Sequence, residues 1–392
     1  MAGLCAPVRR SATDRCPGAI ELHDAADGAL ARIRTPGGRL TRAQLRALAR
    51  AAELGNGLVE VTSRANVQVR GLTEGSAGEL ASVLVEAGLL PSLEHDRARN
   101  VIASPVAGRH PRSVAPTDDV VEELDQRLCA QPALAALPGR FLFAVDDGSG
   151  LALDQRADVA LVARPDGFAL TLAGRLTNAP GTPAAAIDAA LAFLEERDTQ
   201  WRIAELPQGA DGVAGRLGAT VAEALPGARR LGPGVLSQRD GRVAVTALVP
   251  LGRVDGATLD RLAAFAGEIR LSTARTVTVP DVEPARAGDV ASALGALGLS
   301  LSPQSGWVGL TACAGLGACP RARVDVRAAA ARRAAVRDPR AGAEHWAACE
   351  RRCGEQARQP VSIAPAGDAV LVRRGDDERL VASVDGALEV LA

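Results

Sequence analysis

The chain has 392 residues, too many for one ordinary domain, and its length suggests two or three units. Hydrophobic residues at 47% and charged residues at 23% are the balance of a globular protein with a sizeable core, which excludes a disordered composition. A formal net charge of −1 gives no electrostatic footprint for nucleic acid or an acidic membrane face. All 45 basic residues are Arg, and Lys and Tyr are absent. The plainest reading is coding bias, although Arg is also the better residue for forked contacts to carboxylates. The first 17 residues are polar and lack an apolar signal region, and no run approaches a membrane span, so a cytoplasmic protein is expected. In that compartment the seven Cys are not expected to be structural disulfides.

In chain order, residues 1–16 read as a tail, and residues 17–92 as an α+β unit. Thr41 opens a helix with Leu45, Leu48, Ala49 and Ala52 on one side; its hydroxyl suits the orphan N–H groups of a helix start. A strand follows over Leu58–Val61, then a short turn, a strand over 66–72, and a helix in GELASVLVEAGLL from Gly78. Residues 93–205 contain RNVIASPVAGRHP, strands around FLFAV and ADVALVA, and a helix over 184–196. Residues 206–234 are rich in Gly and Pro and read as a linker.

The first unit then recurs over 235–302, at an offset of about 210 residues. Thr258 opens a helix carrying Leu259, Leu262 and Phe265; strands follow over Glu268–Leu271 and 276–279; a helix lies in GDVASALGALGLS from Gly288. Apolar positions 80, 83, 84 and 87 match 290, 293, 294 and 297, one helical face in both copies. Each copy reads strand–helix–strand–strand–helix. Residues 303–392 hold four Cys and end in strands around AVLVRR and RLVASV, so the order is A–B–A′–B′.

Two cysteine pairs dominate the last segment. Cys313 and Cys319 flank five residues in TACAGLGACP, and Cys349 and Cys353 flank three in AACERRCG. A cubane iron–sulfur cluster needs four thiolates converging from different directions. Ala314, Gly315, Gly317 and Ala318 are small enough to let the backbone wrap closely, and Gly takes positive φ freely. Arg351 and Arg352 are placed to offset the negative charge of a thiolate-bound cluster. A structural zinc site is the alternative, but paired zinc ligands usually stand two to four residues apart. Cys5, Cys16 and Cys129 are isolated and read as structural. The four His show no spacing typical of metal ligands. No G-x-G-x-x-G opens a helix after a strand, so electrons must come from a partner.

C-x5-C followed by C-x3-C-G, on an A–B–A′–B′ order, resembles the sirohaem-dependent sulfite and nitrite reductases. The resemblance runs from about Cys16 to the end. It implies an α+β fold: a duplicated nitrite/sulfite reductase-like architecture, with paired ferredoxin-like half-domains and two larger α/β cofactor-binding modules. It also implies a 4Fe–4S cluster on Cys313, Cys319, Cys349 and Cys353, in the second module only. TSRANVQVRG resembles the family's first-half strand motif, which implies tetrapyrrole-side roles for Arg64, Asn66, Gln68 and Arg70. ARNVIASP implies the same for Arg99 and Asn100, LPGRF for Arg140, and the second-copy strand for Arg270. Two residues beyond that basic position the reductases carry a Lys that binds the oxyanion; here it is Leu142. That departure, the shorter chain and the phrase RNVIASPVAG resemble the smaller precorrin-3B synthases of the same superfamily. Their chemistry is the O₂-dependent hydroxylation of precorrin-3A with γ-lactone formation in aerobic cobalamin biosynthesis. It implies a cubane cluster, a mononuclear non-haem iron that His110 is best placed to reach, and a reductase or ferredoxin as electron donor. Two other readings stay open: a sirohaem-dependent sulfite or nitrite reductase, and a non-catalytic iron–sulfur carrier or zinc-stabilised binding protein.

Overall fold

The first unit begins as a hairpin, His23–Ala25 against Gly28–Ile33. The computed structural model describes Asp14 and residues 16–392 except 74, 226, 357 and 358; Cys5 and most of the expected tail lie outside the described residues. The hairpin continues antiparallel into Val67–Leu72 and then Leu58–Val61. Val67 and Val69 face the core while Gln68 and Arg70 point away, the alternation of a sheet covered by helices on one side. The helix Arg42–Glu53 starts at Thr41, whose hydroxyl accepts from the Gln44 N–H while the Gln44 side chain returns to the Thr41 N–H.

The second unit repeats this sheet with Gly234–Ser237, Val243–Leu248, Thr276–Val282 and Glu268–Leu271. Here the helix Gly256–Phe265 is capped by Asp255, whose carboxylate accepts the Thr258 N–H at 2.7 Å. Thr258 is therefore inside the helix, not its cap, because a carboxylate three residues earlier takes the capping position.

The two units exchange strands. Arg39–Thr41 of the first copy closes the sheet of the second, beside Glu268–Leu271. Arg253–Asp255 of the second closes the sheet of the first, beside Leu58–Val61. Each exchanged strand follows a Pro-initiated turn ending in a positive-φ Gly, Gly38 at 69° and Gly252 at 74°. A Cβ at Gly38 would stand 2.4 Å from the Leu271 carbonyl oxygen, and one at Gly252 would stand 2.7 Å from that of Val61. Only Gly permits so close a crossing between the copies. One core results, with Leu45, Leu48 and Val59 of one copy packed in the same cluster as Leu259, Leu262 and Ile269 of the other.

The two modules also share a topology that their sequences conceal. In the first, Val101–Ala103, Phe143–Asp146 and Val159–Arg164 run parallel, then Gly167–Leu172 and Arg175–Pro180 return antiparallel. In the second, Leu310–Ala312, Glu344–Trp346 and Val361–Ala366 run parallel, then Ala369–Arg374 and Asp377–Val381 return. A helix joins the first two strands in each, Asp118–Ala130 and Val326–Ala334, and another follows the meander, Pro183–Glu196 and Val384–Leu391. Part of the expected linker belongs to the first module: the helix Gly209–Arg216 packs there, and Val221–Ala224 forms the sheet edge. Among the described residues no helix is long and apolar enough to cross a membrane.

Candidate metal centre and anion-binding cleft

Ligand sites in open α/β sheets form beyond the carboxyl ends of parallel strands. Cys313 directly follows Leu310–Ala312 and Cys349 lies three residues beyond Glu344–Trp346, its parallel neighbour. That register is why two sequence-distant pairs share one end of the sheet. The Cys313 N–H donates to the Trp346 carbonyl at 3.0 Å, and its Sγ accepts the Ala348 N–H at 3.2 Å. The loop to Cys319 turns through positive φ at Gly315 and Gly317, and Gly354 beyond Cys353 does the same. Burial raises the Cys353 thiol pKa, and the sulfurs of Cys349, Cys313 and Cys319 raise it further, so all three lie within electrostatic range of Cys353.

The donor set fits a 4Fe–4S cluster: four thiols, an N–H aimed at one sulfur, and glycine-hinged loops. Among the described residues no three His, Cys, Asp or Glu side chains stand as ligands to a single ion. The same finding leaves the mononuclear iron without an assigned ligand set. His110 stands half-buried in the loop after Val101–Ala103, where Nδ1 accepts the Arg112 N–H.

Two residues brace the cysteine loops. Buried His345 meets the Cys353 carbonyl through Nε2 at 3.1 Å and the Thr311 hydroxyl through Nδ1 at 2.8 Å. Burial holds its pKa down to about 4, so it is neutral, and the carbonyl partner fixes the proton on Nε2. Arg70, expected at the tetrapyrrole, forks onto Asp27 and donates to the Ala318 carbonyl at 2.9 Å, inside the first cysteine loop.

The equivalent loop ends of the first module hold no Cys. Asp147 ties them instead, accepting the Gly108 N–H and the Ser113 and Ser149 hydroxyls, while Asp146 accepts three backbone N–H groups of its own loop.

A second constellation lies where the turn 62–66 meets the first module. Arg64 donates to the Gly139 carbonyl at 3.4 Å. Burial, and then the Arg202 and Arg34 guanidiniums, push its pKa down to about 10. Arg34 is 2% exposed and reaches Gly139 as well, with Nε unpartnered. Cys16 sits between, its Sγ accepting from Arg32 at 3.0 Å and Arg34 at 3.8 Å. Among the described residues neither Arg34 nor Arg64 makes an ion pair with a carboxylate, and the Cys16 sulfur is the group that most favours both charges. Arg32, Arg34 and Cys16 escaped the sequence reading, although Arg-x-Arg in a strand puts both side chains on one face. Burial raises the Cys16 pKa, but the two guanidiniums outweigh it and leave the thiol more acidic than ordinary. Iodoacetamide labelling of Cys16, followed by mass spectrometry, is expected to reach half its limiting rate at a lower pH than an ordinary thiol. In Arg32→Gln that midpoint should move up; an unmoved midpoint would show that Arg32 does not set the thiolate.

Other expected site residues are committed to the framework. Arg99 forks onto Asp125 and donates to the Leu89 carbonyl. Arg270 is held by Asp118 and Glu268. Gln68 lies in a cross-strand ladder between Arg32 and Glu60. Asn66 donates to Asn100, and Asn100 to the Phe141 carbonyl, stitching the turn to the first module. Arg140 is exposed and lies over the Trp201 ring at 5.1 Å. Leu142 is wholly buried, its N–H bound by Asp158.

Comparison with known proteins agrees with the duplicated fold. Residues 23–87 and 236–297 each match the nitrite/sulfite reductase ferredoxin-like half domain. The chain thus carries that half domain twice. It is similar to a precorrin-3B synthase from a Sinorhizobium species, 32% identical over 205 residues. That match spans 50% of this chain and 43% of the relative, less than half of the relative's length. It is also similar to the chloroplastic ferredoxin–nitrite reductase of Arabidopsis thaliana, 27% identical over 90% of this chain and 69% of that one. The structure of the NirA protein of Mycobacterium tuberculosis superposes with a TM-score of 0.72 at 20% identity, covering 92% of this chain and 79% of that one, which shows a shared fold.

Proposed function

We propose that this chain is a precorrin-3B synthase, hydroxylating precorrin-3A with dioxygen and closing a ring acetate to a γ-lactone. The observation that carries this reading is Leu142. Where the resembled reductases present an oxyanion-binding Lys, this chain has a side chain with no exposed surface, packed with Ile102, Ala144 and Val162. An apolar, buried residue neither attracts sulfite or nitrite nor supplies a proton to it. The precorrin-3B synthase relative supports the same choice.

Cys313, Cys319, Cys349 and Cys353 would hold the cluster, which when bound supplies single electrons from an external reductase or ferredoxin to the cleft. Arg64 and Arg34 receive carboxylates of the macrocycle, which bears several acetates and propionates and is well matched by guanidinium forks. Asn66 and Asn100 hold the turn that presents Arg64. The reaction takes one oxygen atom of dioxygen into the macrocycle and releases the other as water, using two electrons and two protons from outside the substrate.

The test is aerobic incubation of the cluster-loaded protein with precorrin-3A and a reducing system. A product heavier by one oxygen atom and carrying the lactone supports the proposal; turnover of nitrite or sulfite without it would overturn it. In Arg64→Ala the KM for precorrin-3A should rise roughly 10–100-fold, the loss of a charged hydrogen bond worth about 1.5–3 kcal/mol, with kcat little changed. An unchanged KM would remove Arg64 from the site. A sirohaem-dependent reductase is the second reading, favoured by the alignment of the nitrite reductase over 90% of the chain.

A further inference from the structure

The turn that presents Arg64 has a copy. In the first unit Thr62 N–H bonds the Asn66 carbonyl at 2.8 Å, Ala65 N–H bonds the Thr62 carbonyl, and Ala65 has φ of 55°. In the second unit Ser272 N–H bonds the Thr276 carbonyl at 3.2 Å, Arg275 N–H bonds the Ser272 carbonyl, and Arg275 has φ of 58°. The left-handed residue is a feature of the turn itself, since Ala65 and Arg275 occupy the same position in the two copies; in the second copy it carries a cation.

Arg275 is half-buried, and its guanidinium makes no hydrogen bond or ion pair with any described residue. Its stem crosses Gly252, where an added Cβ would stand 2.7 Å from Cδ and 3.4 Å from Nε. The nearest carboxylate in electrostatic effect is Glu60. Glu60 is already shared by Arg327 at 2.9 Å, Arg253 at 3.2 Å and the Gln68 amide at 2.5 Å. The positive charge of Arg275 also reaches His345, which holds the Cys353 carbonyl. Arg64 thus faces the first module and Arg275 the side of the second that carries the cysteines. Burial and the neighbouring Arg230 lower the Arg275 pKa and Glu60 offsets this in part, so an anion at the open hydrogen-bonding positions of its guanidinium would stabilise the charge.

We infer that Arg275 is a second carboxylate receptor, which with Arg64 clamps one polycarboxylate macrocycle from equivalent turns of the two repeats. This rests on the reading of the substrate as precorrin-3A and names a residue that grips it. The clamp gives the duplication a use: two related turns present two cations to one ligand.

The experiment is anaerobic equilibrium binding of precorrin-3A to the full chain carrying its cluster, for wild type, Arg275→Gln and Arg275→Lys. Without oxygen no turnover intervenes. The Kd should rise about 10-fold or more in Arg275→Gln, the expected scale for losing a charged hydrogen bond, and less in Arg275→Lys. The Tm of ligand-free Arg275→Gln should not fall, because no internal ion pair is lost, while the Tm rise caused by ligand should shrink. Wild-type affinity in a folded Arg275→Gln overturns the inference and leaves the proposed function standing. A ligand-free Tm well below wild type in both variants would instead show a framework role and also overturn it. Failure of wild type to bind precorrin-3A removes the function and this inference together.

Discussion

Replacing Cys353 with Ser should abolish cluster-dependent activity while leaving the fold intact. Cys353 is exposed, whereas the other three cysteines of the set are half-buried, so its loss removes a ligand without opening a cavity. A serine hydroxyl is a hard, weakly acidic donor where a thiolate is wanted. Changes to outer-shell partners alone cost roughly 10–100-fold at metal sites; losing a direct ligand should therefore cost on the order of a hundredfold or more. Visible absorbance, acid-labile sulfide and turnover should fall together while far-UV circular dichroism stays unchanged. Cys129→Ser, on the helix Asp118–Ala130 of the other module, is the control and should behave as wild type. Full activity in Cys353→Ser would withdraw the ligand assignment.

The second large effect is on stability. Glu344 is 1% exposed and its carboxylate accepts from Arg333 at 3.2 Å, from Arg337 at 3.2 Å and from the Trp346 indole at 2.7 Å. Both guanidiniums are buried. Glu344→Gln leaves two cations facing one neutral amide. Breaking a buried ion pair by removing one partner costs about 3–5 kcal/mol. Because the strand Glu344–Trp346 leads into the Cys349 loop, cluster retention should weaken as well. Urea unfolding followed by the fluorescence of Trp346 and Trp307, both in or against that core, reads the effect. A loss under about 1 kcal/mol, the scale of an exposed ion pair, would mean that Arg333 and Arg337 do not depend on Glu344.

The repeat and the cysteine set were legible because both are local signals. Helical periodicity at 80, 83, 84 and 87 needs only one turn of neighbours, and paired Cys are rare enough to stand out. The exchanged strands were not legible: Arg39–Thr41 and Arg253–Asp255 are three residues each, and nothing in them names a partner some 200 residues away. The likeness of the two modules was hidden for another reason. Strands of three residues carry little to match: Leu310–Ala312 reads LTA and is buried only at Leu310, whereas Val101–Ala103 reads VIA and is buried throughout.

The arginines mark where sequence reading reaches its end. Arg64, Arg99 and Arg270 look alike in a string of letters. Arg99 meets Asp125 after 26 residues and Arg270 meets Asp118 after 152, while among the described residues the Arg64 guanidinium meets only a carbonyl. Whether a cation is spent inside the fold or left for a ligand depends on tertiary partners. The motif resemblance singled out the turn 62–66 and several arginines alike, and did not separate those paired within the fold from Arg64. Cys16, read as an isolated structural thiol, and His345, one of four His without metal-ligand spacing, acquire their surroundings in the same way.

The most direct test of the account is the chromophore of the anaerobically purified full chain, by absorption spectrum, iron and acid-labile sulfide content, and acid–acetone extraction. One cubane cluster, with about four sulfides to match its irons, and no extractable tetrapyrrole is the predicted result. Extracted sirohaem would contradict it and return the chain to the reductases despite Leu142, and zinc without sulfide would contradict every reading in which the four cysteines hold a cluster.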